Sequence, residues 1–253
     1  MIKLVFPSLC INNEVSMNLK EYILKATENY KIQLNETQLS QLERYFELLV
    51  EWNEKINLTA ITDEQGVAVK HFADSLTFFN YVDVPENSSL IDVGTGAGFP
   101  GIVLKIARPD IKLTLLDSLK KRLNFLETVL NEHGLEAELI HSRAEDGGND
   151  IDLRESFDFA VSRAVAQLNV LSEYCLPYVR LAGSFVALKG PDADNEVANA
   201  KRALQCLGGK LKATHKFSLN LDGGDRTILV IEKNSPTPDK YPRNSGKIKS
   251  SPL

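Results

Sequence analysis

Hydrophobic positions in the first eighty residues recur with a helical period. Asn18 precedes Leu19, Tyr22, Ile23, Ala26 and Tyr30, which share one helix face. Asn35 precedes a second stripe of Leu39, Leu42, Phe46, Leu49 and Trp52, and Gln38 stands three residues after that cap, the spacing of a capping box. Val67, His71, Phe72, Leu76 and Phe79 predict a third helix, with a turn over 57–62 before it. Near Pro85 the period changes. Short β-rich runs follow at 89–93, 113–117, 137–141, 157–162, 184–189, 210–217 and 227–232. Helical stretches are predicted to separate the first five: 100–107 opening on proline, 118–133 capped by Ser118 and ended by Gly134, and 167–178; 194–207, ended by Gly208 and Gly209, follows.

Alternating strands and helices imply parallel strands joined by right-handed crossovers. Only a loop over 218–225, with Gly223 and Gly224, joins the last two strands, so these pair antiparallel. The pattern therefore predicts an α/β protein: a doubly wound seven-stranded sheet with its last strand antiparallel, plus a small helical N-terminal segment. The expected divisions are an extension over 1–17, a helical segment over 18–84, a Rossmann-like core over 85–235 and a polar, basic, irregular tail over 236–253.

Composition narrows the function classes. Charged residues make up 25% of the chain and hydrophobic ones 43%, a globular balance rather than a disordered one. The net charge of −5 gives no global pull toward nucleic acid or membrane, so any RNA contact must come from local basic patches. Cys10, Cys175 and Cys206 are far apart and odd in number, which argues against a disulfide framework or a metal site. No apolar run is long enough to span a membrane, and Pro7 with Asn12, Asn13 and Glu14 ends the first apolar run too early for a signal peptide. A cytoplasmic protein is expected, with Met17 as an alternative start.

The strongest chemical signal is Ile91-Asp92-Val93-Gly94-Thr95-Gly96-Ala97-Gly98-Phe99-Pro100-Gly101, between the first predicted strand and a helix. Glycines there let the backbone turn tightly and let a ligand approach the main chain. Gly96 to Gly101 fits G-x-G-x-x-G, the dinucleotide fingerprint. Read from Asp92, the run is D-x-G-x-G-x-G, the pattern of class I methyltransferases. Three features favour the second reading: an acid two residues before the first glycine, placed to meet a cationic amino-acid group; one reversed strand at the end of the sheet; and further acids where adenosine needs them. Asp117, ending the second strand, points at ribose hydroxyls in this fold, although NAD would use the same acid. Glu145, after the third strand, can accept from an adenine amine or simply open a solvated helix.

With these pieces in place, the chain resembles the RsmG (GidB) family of small-subunit (16S) ribosomal RNA methyltransferases, from about Leu42 to Leu253. The resemblance is carried by Trp52-Asn53 with Asn57-Leu58-Thr59, Lys70-His71-Phe72 with Asp74-Ser75-Leu76, and the run from Asp92 to Gly101. It continues through Leu116-Asp117-Ser118, Lys121-Arg122, Phe125-Leu126, Ser162-Arg163-Ala164-Val165-Ala166, Leu188-Lys189-Gly190 and Lys240-Tyr241-Pro242-Arg243. The joint order and spacing make it specific. The resemblance implies S-adenosylmethionine as cofactor and guanine N7 as the methylated atom. It also implies that Gly94, Phe99, Ala144, Glu145 and Arg163 line the cofactor site, beside Gly96 and Asp117 from the glycine run and the second strand. Asn244 and Ser245 interrupt the basic stretch usual after the tyrosine-proline-arginine.

Arg163 ends the fourth strand on the edge where ligands bind, and its planar fork suits a carboxylate, a phosphate or guanine O6. It is the candidate for positioning; no residue is assigned as a general base. Lys189, Arg226 and Arg243, with Lys247 and Lys249, form a candidate phosphate patch, against which stands a merely solvated tail. His71 and Asp74, three apart, read as a catalytic dyad or, preferably, as a histidine locking the N-terminal helices to the core. The expected partner is small-subunit ribosomal RNA or the assembled 30S subunit, with no metal, no membrane and a monomeric state. An NAD-dependent oxidoreductase and a non-catalytic module binding S-adenosylmethionine or RNA are the alternatives.

Overall fold

Seven strands, β1 (Ser89–Val93), β2 (Lys112–Asp117), β3 (Ala137–His141), β4 (Phe157–Arg163), β5 (Val179–Lys189), β6 (Gly209–Leu219) and β7 (Gly224–Lys233), form one sheet in the order β3-β2-β1-β4-β5-β7-β6. The computed structural model describes residues 17–163 and 166–253. The N-terminal extension with Cys10, and Ala164 and Val165 of the Arg163 motif, lie outside these. Strands β1 to β5 pair in parallel, whereas β7 pairs antiparallel with both β5 and β6. The last strand thus lies between its two predecessors instead of at the edge. Only two strands then remain exposed at edges, β3 and β6. Lys210, Lys212 and Lys216 alternate along β6 on the solvent side, charges that discourage further strand pairing.

Alternation along the strands divides the core in two. Val186, Leu188, Ile228 and Val230 face one layer. Phe185, Ala187, Leu229 and Ile231 face the other. On the first face pack α1 (Leu19–Thr27), α2 (Glu36–Ile56), α6 (Gly101–Ala107) and α7 (Lys120–His133). On the second pack α9 (Leu168–Cys175) and α10 (Ala193–Cys206). The N-terminal helices share their core with β1 and α6, so buried contacts run straight through residue 85, where the hydrophobic period changes.

Caps behave as the side-chain chemistry dictates at the first two helices. Asn18 and Asn35 each accept from the third helical N–H, and Glu21 and Gln38 reach back to the cap, closing capping boxes. The predicted third helix is broken into α3 (Glu64–Val67), a π-helical turn (Ala68–Ala73), α4 (Asp74–Leu76) and α5 (Phe78–Tyr81). Ser118 does not cap α7: the helix starts at Lys120, its cap residue is Leu119, and no side chain bonds there. The carboxylate of Asp117 takes the Leu119 N–H instead, at 2.9 Å.

The tail is ordered where an irregular one was expected. Arg154 donates to the carbonyls of Gly148, Thr237, Pro238 and Tyr241. Asn244 caps α11 (Ser245–Ser250), whose Ile248 is fully buried. Among the described residues, Cys175 and Cys206 are free thiols, no group of acids, histidines and cysteines could hold a metal ion, and no helix is long and apolar enough to cross a membrane.

Candidate active site

The carboxyl ends of β1, β2 and β4 meet at one edge of the sheet, the edge where ligands bind in doubly wound folds. After β1 the chain turns through Gly94, Gly96 and Gly98 at φ of 73°, 61° and 91°. A side chain at those angles is strained. Two acids hold the turn from below. Asp92 is fully buried; its Oδ2 accepts from Thr95 Oγ1 at 2.8 Å and from the Gly101 N–H at 2.9 Å. Its Oδ1 is buried with no partner at all. Burial pushes the Asp92 carboxyl up to about 6, against the pull of those two hydrogen bonds. Asp117 accepts from the Gly96 N–H at 2.9 Å and lies 3.4 Å from an Arg122 guanidinium nitrogen.

A cavity of about 240 Å³ opens on this edge, lined by Val93, Gly94, Leu116, Asp117, Ala144 and Tyr174 among others. A second of about 500 Å³ adjoins it, sharing Ser118, Ala144 and Tyr174 and adding Glu145. A larger hollow of about 700 Å³, around Ser89, Lys112 and Ala137, lies at the amino ends of the strands, away from the glycine turn. The carboxyl edge is the better ligand site because the turn there exposes backbone to a ligand.

Behind the glycine turn stands an aromatic wall. Phe99 stacks on Tyr45 of α2 at 5.3 Å between ring centres and on His71 at 4.6 Å, and the Arg163 guanidinium lies 5.0 Å over its face. The Tyr45 hydroxyl donates to the Ala97 carbonyl inside the turn. Arg163 donates to Asp74 Oδ2 at 3.3 Å and to the Lys70 carbonyl at 3.1 Å, and its other terminal nitrogen lies 3.4 Å from His71 Nδ1. Asp74 is shared with Arg226, whose Nε sits 3.2 Å from Oδ1. The π-helical turn presents Lys70 and His71 to this network, and the first residue of α4 supplies Asp74. Burial and the nearby Arg163 charge bring the His71 ring down to about 4, so it is neutral at physiological pH.

A family model described as rRNA small subunit methyltransferase G matches residues 38–228. The chain belongs to the rRNA small subunit methyltransferase G family. Proteins named ribosomal RNA small subunit methyltransferase G from an Exiguobacterium species and from Desulforamulus reducens are 49% and 47% identical to it, over 94% and 95% of this chain and 100% and 99% of their own. A solved methyltransferase from Pyrococcus furiosus shares the fold at 15% identity, with a TM-score of 0.52 over 78% of this chain and 99% of that one.

For a member of this methyltransferase family, the oxidoreductase alternative falls, and the second reading of the glycine run stands. Gly94, Asp117 and Ala144 line the smaller cavity, and Glu145 lines its neighbour. Gly96 is tied to Asp117, while Phe99 and Arg163 stand on the α2 side of the turn, against His71. His71 and Asp74 do not form a dyad: His71 Nε2 lies 2.8 Å from Thr59 Oγ1, and Asp74 serves the two arginines. The three phosphate candidates are not brought together. Lys189 pairs with Glu196 at 2.7 Å, Arg226 with Asp74, and Arg243 with the buried Glu173 at 2.6 Å. Each cation is engaged internally because a carboxylate from a neighbouring element lies within reach, which a one-dimensional pattern does not reveal.

Tyr45 and Tyr174 were missed from the sequence. The hydrophobic stripe of α2 picks out Phe46, yet Tyr45 is the fully buried residue, because it points at the glycine turn as well as at the core. The available signal was an aromatic hydroxyl on an otherwise apolar face.

Proposed function

We propose that this protein transfers a methyl group from S-adenosylmethionine to N7 of a guanosine in small-subunit ribosomal RNA. The observation that carries the cofactor half is the unpartnered, buried Asp92 Oδ1 beneath the glycine turn. An orphaned buried acceptor is costly unless a ligand donor reaches it, and the amino-acid part of the cofactor carries a cationic amine. Gly94, Asp117, Ala144 and Glu145 would hold the rest, with Asp117 toward the ribose and Glu145 toward the adenine amine. Family membership supports the substrate half, as RNA alone or in the assembled subunit, and with it a cytoplasmic location.

S-adenosylmethionine supplies, when bound, an electrophilic methyl group on cationic sulfur. Guanine N7 has a free lone pair in the plane of the base, so no proton must first be removed from it. The chain therefore needs no general base; positioning and exclusion of water are its tasks. His71, brought down to about 4 with both ring nitrogens engaged, is a weak proton acceptor and fits that absence of base chemistry. Arg163 acts as a positioning residue through Phe99. Incubation with 30S subunits and methyl-labelled S-adenosylmethionine, followed by mapping of the label, tests the reading. One 7-methylguanosine is expected; no transfer to the subunit or its RNA, or label on another atom, overturns it.

Two consequences follow for binding of S-adenosylhomocysteine, which keeps the amino-acid group. Asp92 must be ionised to attract the amine, so affinity rises with pH through about 6 and falls by up to about tenfold per unit below it. The sign for folding is opposite: a carboxyl raised above its unfolded value makes the ligand-free protein lose stability as pH rises from 3.8 to about 6. Calorimetric titration across that range checks the first, and Asp92→Asn is expected to flatten the profile. Tyr45→Phe leaves the Ala97 carbonyl without its donor, a loss of about 1–2 kcal/mol. Affinity for S-adenosylhomocysteine is expected to fall roughly tenfold; unchanged affinity would show that the hydroxyl does not shape the turn.

A further inference from the structure

Of the cations that pattern nominated for phosphate, Lys189, Arg226 and Arg243 are bound to internal carboxylates, whereas Lys247 and Lys249 are not paired among the described residues. Five exposed cations stand on the elements around the adenosine side of the candidate site, and two of them, Arg143 and Lys249, line its cavity. Lys120 and Lys121 open α7, Arg143 is the residue before α8 (Ala144–Gly147), and Lys247 and Lys249 lie on α11. Among the described residues none of the four lysines has an ion-pair partner, and the nearest carboxylate to Arg143 is Glu145 at 4.0 Å. Arg143 and Lys249 line one cavity with Ser118, Gln167 and Ser245, and Lys120 follows Ser118 by two residues.

We propose that the sugar–phosphate backbone of the RNA substrate docks across this face, on Lys120, Lys121, Arg143, Lys247 and Lys249. The inference rests on the reading of the site as an RNA methyltransferase centre, and it adds the surface by which the RNA arrives.

Three physical features favour it. The first turn of α7 carries lysines and no acid, at the end of the helix where the macrodipole is positive. Helix stability therefore does not account for the charges there. Lys247 and Lys249 are presented by a fixed element, since Asn244 caps α11, Ile248 is buried beneath it, and Arg243 is pinned to Glu173 at 2.6 Å. A fixed helix loses little backbone freedom on binding. Finally, the protein as a whole carries a net charge of −5, so phosphate attraction has to be local.

The chemistry of the face selects RNA over an acidic protein. Between the cations lie Ser118, Gln167 and Ser245, which hydrogen-bond to phosphate oxygens and 2′-hydroxyls. A protein partner would want an apolar, aromatic centre, and of the exposed large hydrophobic residues Leu119 alone adjoins these positions. The face shares Ser118, Ala144 and Tyr174 with the candidate cofactor cavity, so a strand held there lies beside it.

The test neutralises the four lysines together, as Lys120→Gln, Lys121→Gln, Lys247→Gln and Lys249→Gln, all at exposed positions. Methyl transfer to 30S subunits, filter binding to protein-free 16S RNA and calorimetric binding of S-adenosylhomocysteine are measured against salt. The expected result is a KM for subunits raised at least roughly tenfold and a slope of log affinity against log salt reduced by about one per lost phosphate contact. The loss should appear equally with protein-free RNA, with kcat and S-adenosylhomocysteine affinity as in the wild type. A KM and salt slope equal to those of the wild type overturn the proposal. A loss seen with subunits but not with protein-free RNA overturns it too, in favour of a ribosomal protein. Failure of the wild-type protein to methylate subunits sinks the reading of function instead.

Discussion

Gly98→Ala is expected to weaken cofactor binding by about a hundredfold while leaving a folded but destabilised protein. A Cβ at this position would stand 2.5 Å from the Tyr45 hydroxyl and 2.9 Å from Leu126 Cδ2, on a backbone at φ 91°. Neither neighbour can retreat: Tyr45 is fully buried between Phe72, Phe99 and Phe125, and Leu126 is fully buried as well. The turn itself must move. Overpacking and an unfavourable φ together cost about 3 kcal/mol. A turn displaced at that energy corresponds to roughly a hundredfold loss of S-adenosylhomocysteine affinity, measured by calorimetry. Gly246→Ala in α11 is the control. The nearest atom to its Cβ is Asn244 Oδ1 at 3.5 Å and its φ is ordinary, so stability and cofactor affinity should both hold. Equal affinities for the wild type and Gly98→Ala would mean that the turn does not contact the cofactor.

Arg163→Ala is expected to cost both stability and rate. The side chain is 14% exposed and ties the end of β4 to Asp74, to the Lys70 carbonyl and to His71. Its removal leaves the buried Asp74 with Arg226 alone, and Phe99 loses the cation over its face. Breaking such a buried pair costs about 3 kcal/mol, which lowers Tm by roughly 6–12 °C. Misplacement of the aromatic wall by about an ångström costs on the order of a hundredfold in kcat/KM for methyl transfer. Arg163→Lys separates the two effects. It keeps the charge beside Asp74 but lacks the planar fork that serves several acceptors, so Tm should recover further than kcat/KM. A rate equal to that of the wild type in Arg163→Ala would remove this residue from the site.

The strands were legible because each is a short β-rich run bounded by turn residues, although only β6 alternates throughout. The glycine turn was legible because only glycine accepts its angles without strain, so the conformation is written directly in residue type. The capping boxes at Asn18 and Asn35 are equally local, with donor and acceptor three residues apart. Ser118 failed as a cap for the complementary reason. The helix starts one residue later than a serine cap requires, and Asp117, held by the sheet, ties the chain there by accepting from the Leu119 N–H.

Sequence by itself therefore determined the α/β class, the seven strands, the reversed final strand and the glycine turn, all of which follow from periodicities and residue types within a few positions. Tertiary structure decided that β7 lies between β5 and β6, and that the N-terminal helices share a core with the glycine turn through Tyr45. It decided that Asp74 is claimed by Arg163 and Arg226 rather than His71, and that Lys189, Arg226 and Arg243 face carboxylates while Lys120, Lys121, Lys247 and Lys249 face solvent. The physical reason is that a charge is silent about its partner until the fold brings one within about 4 Å. Residue type records which interactions are available, and only packing of distant segments records which are made.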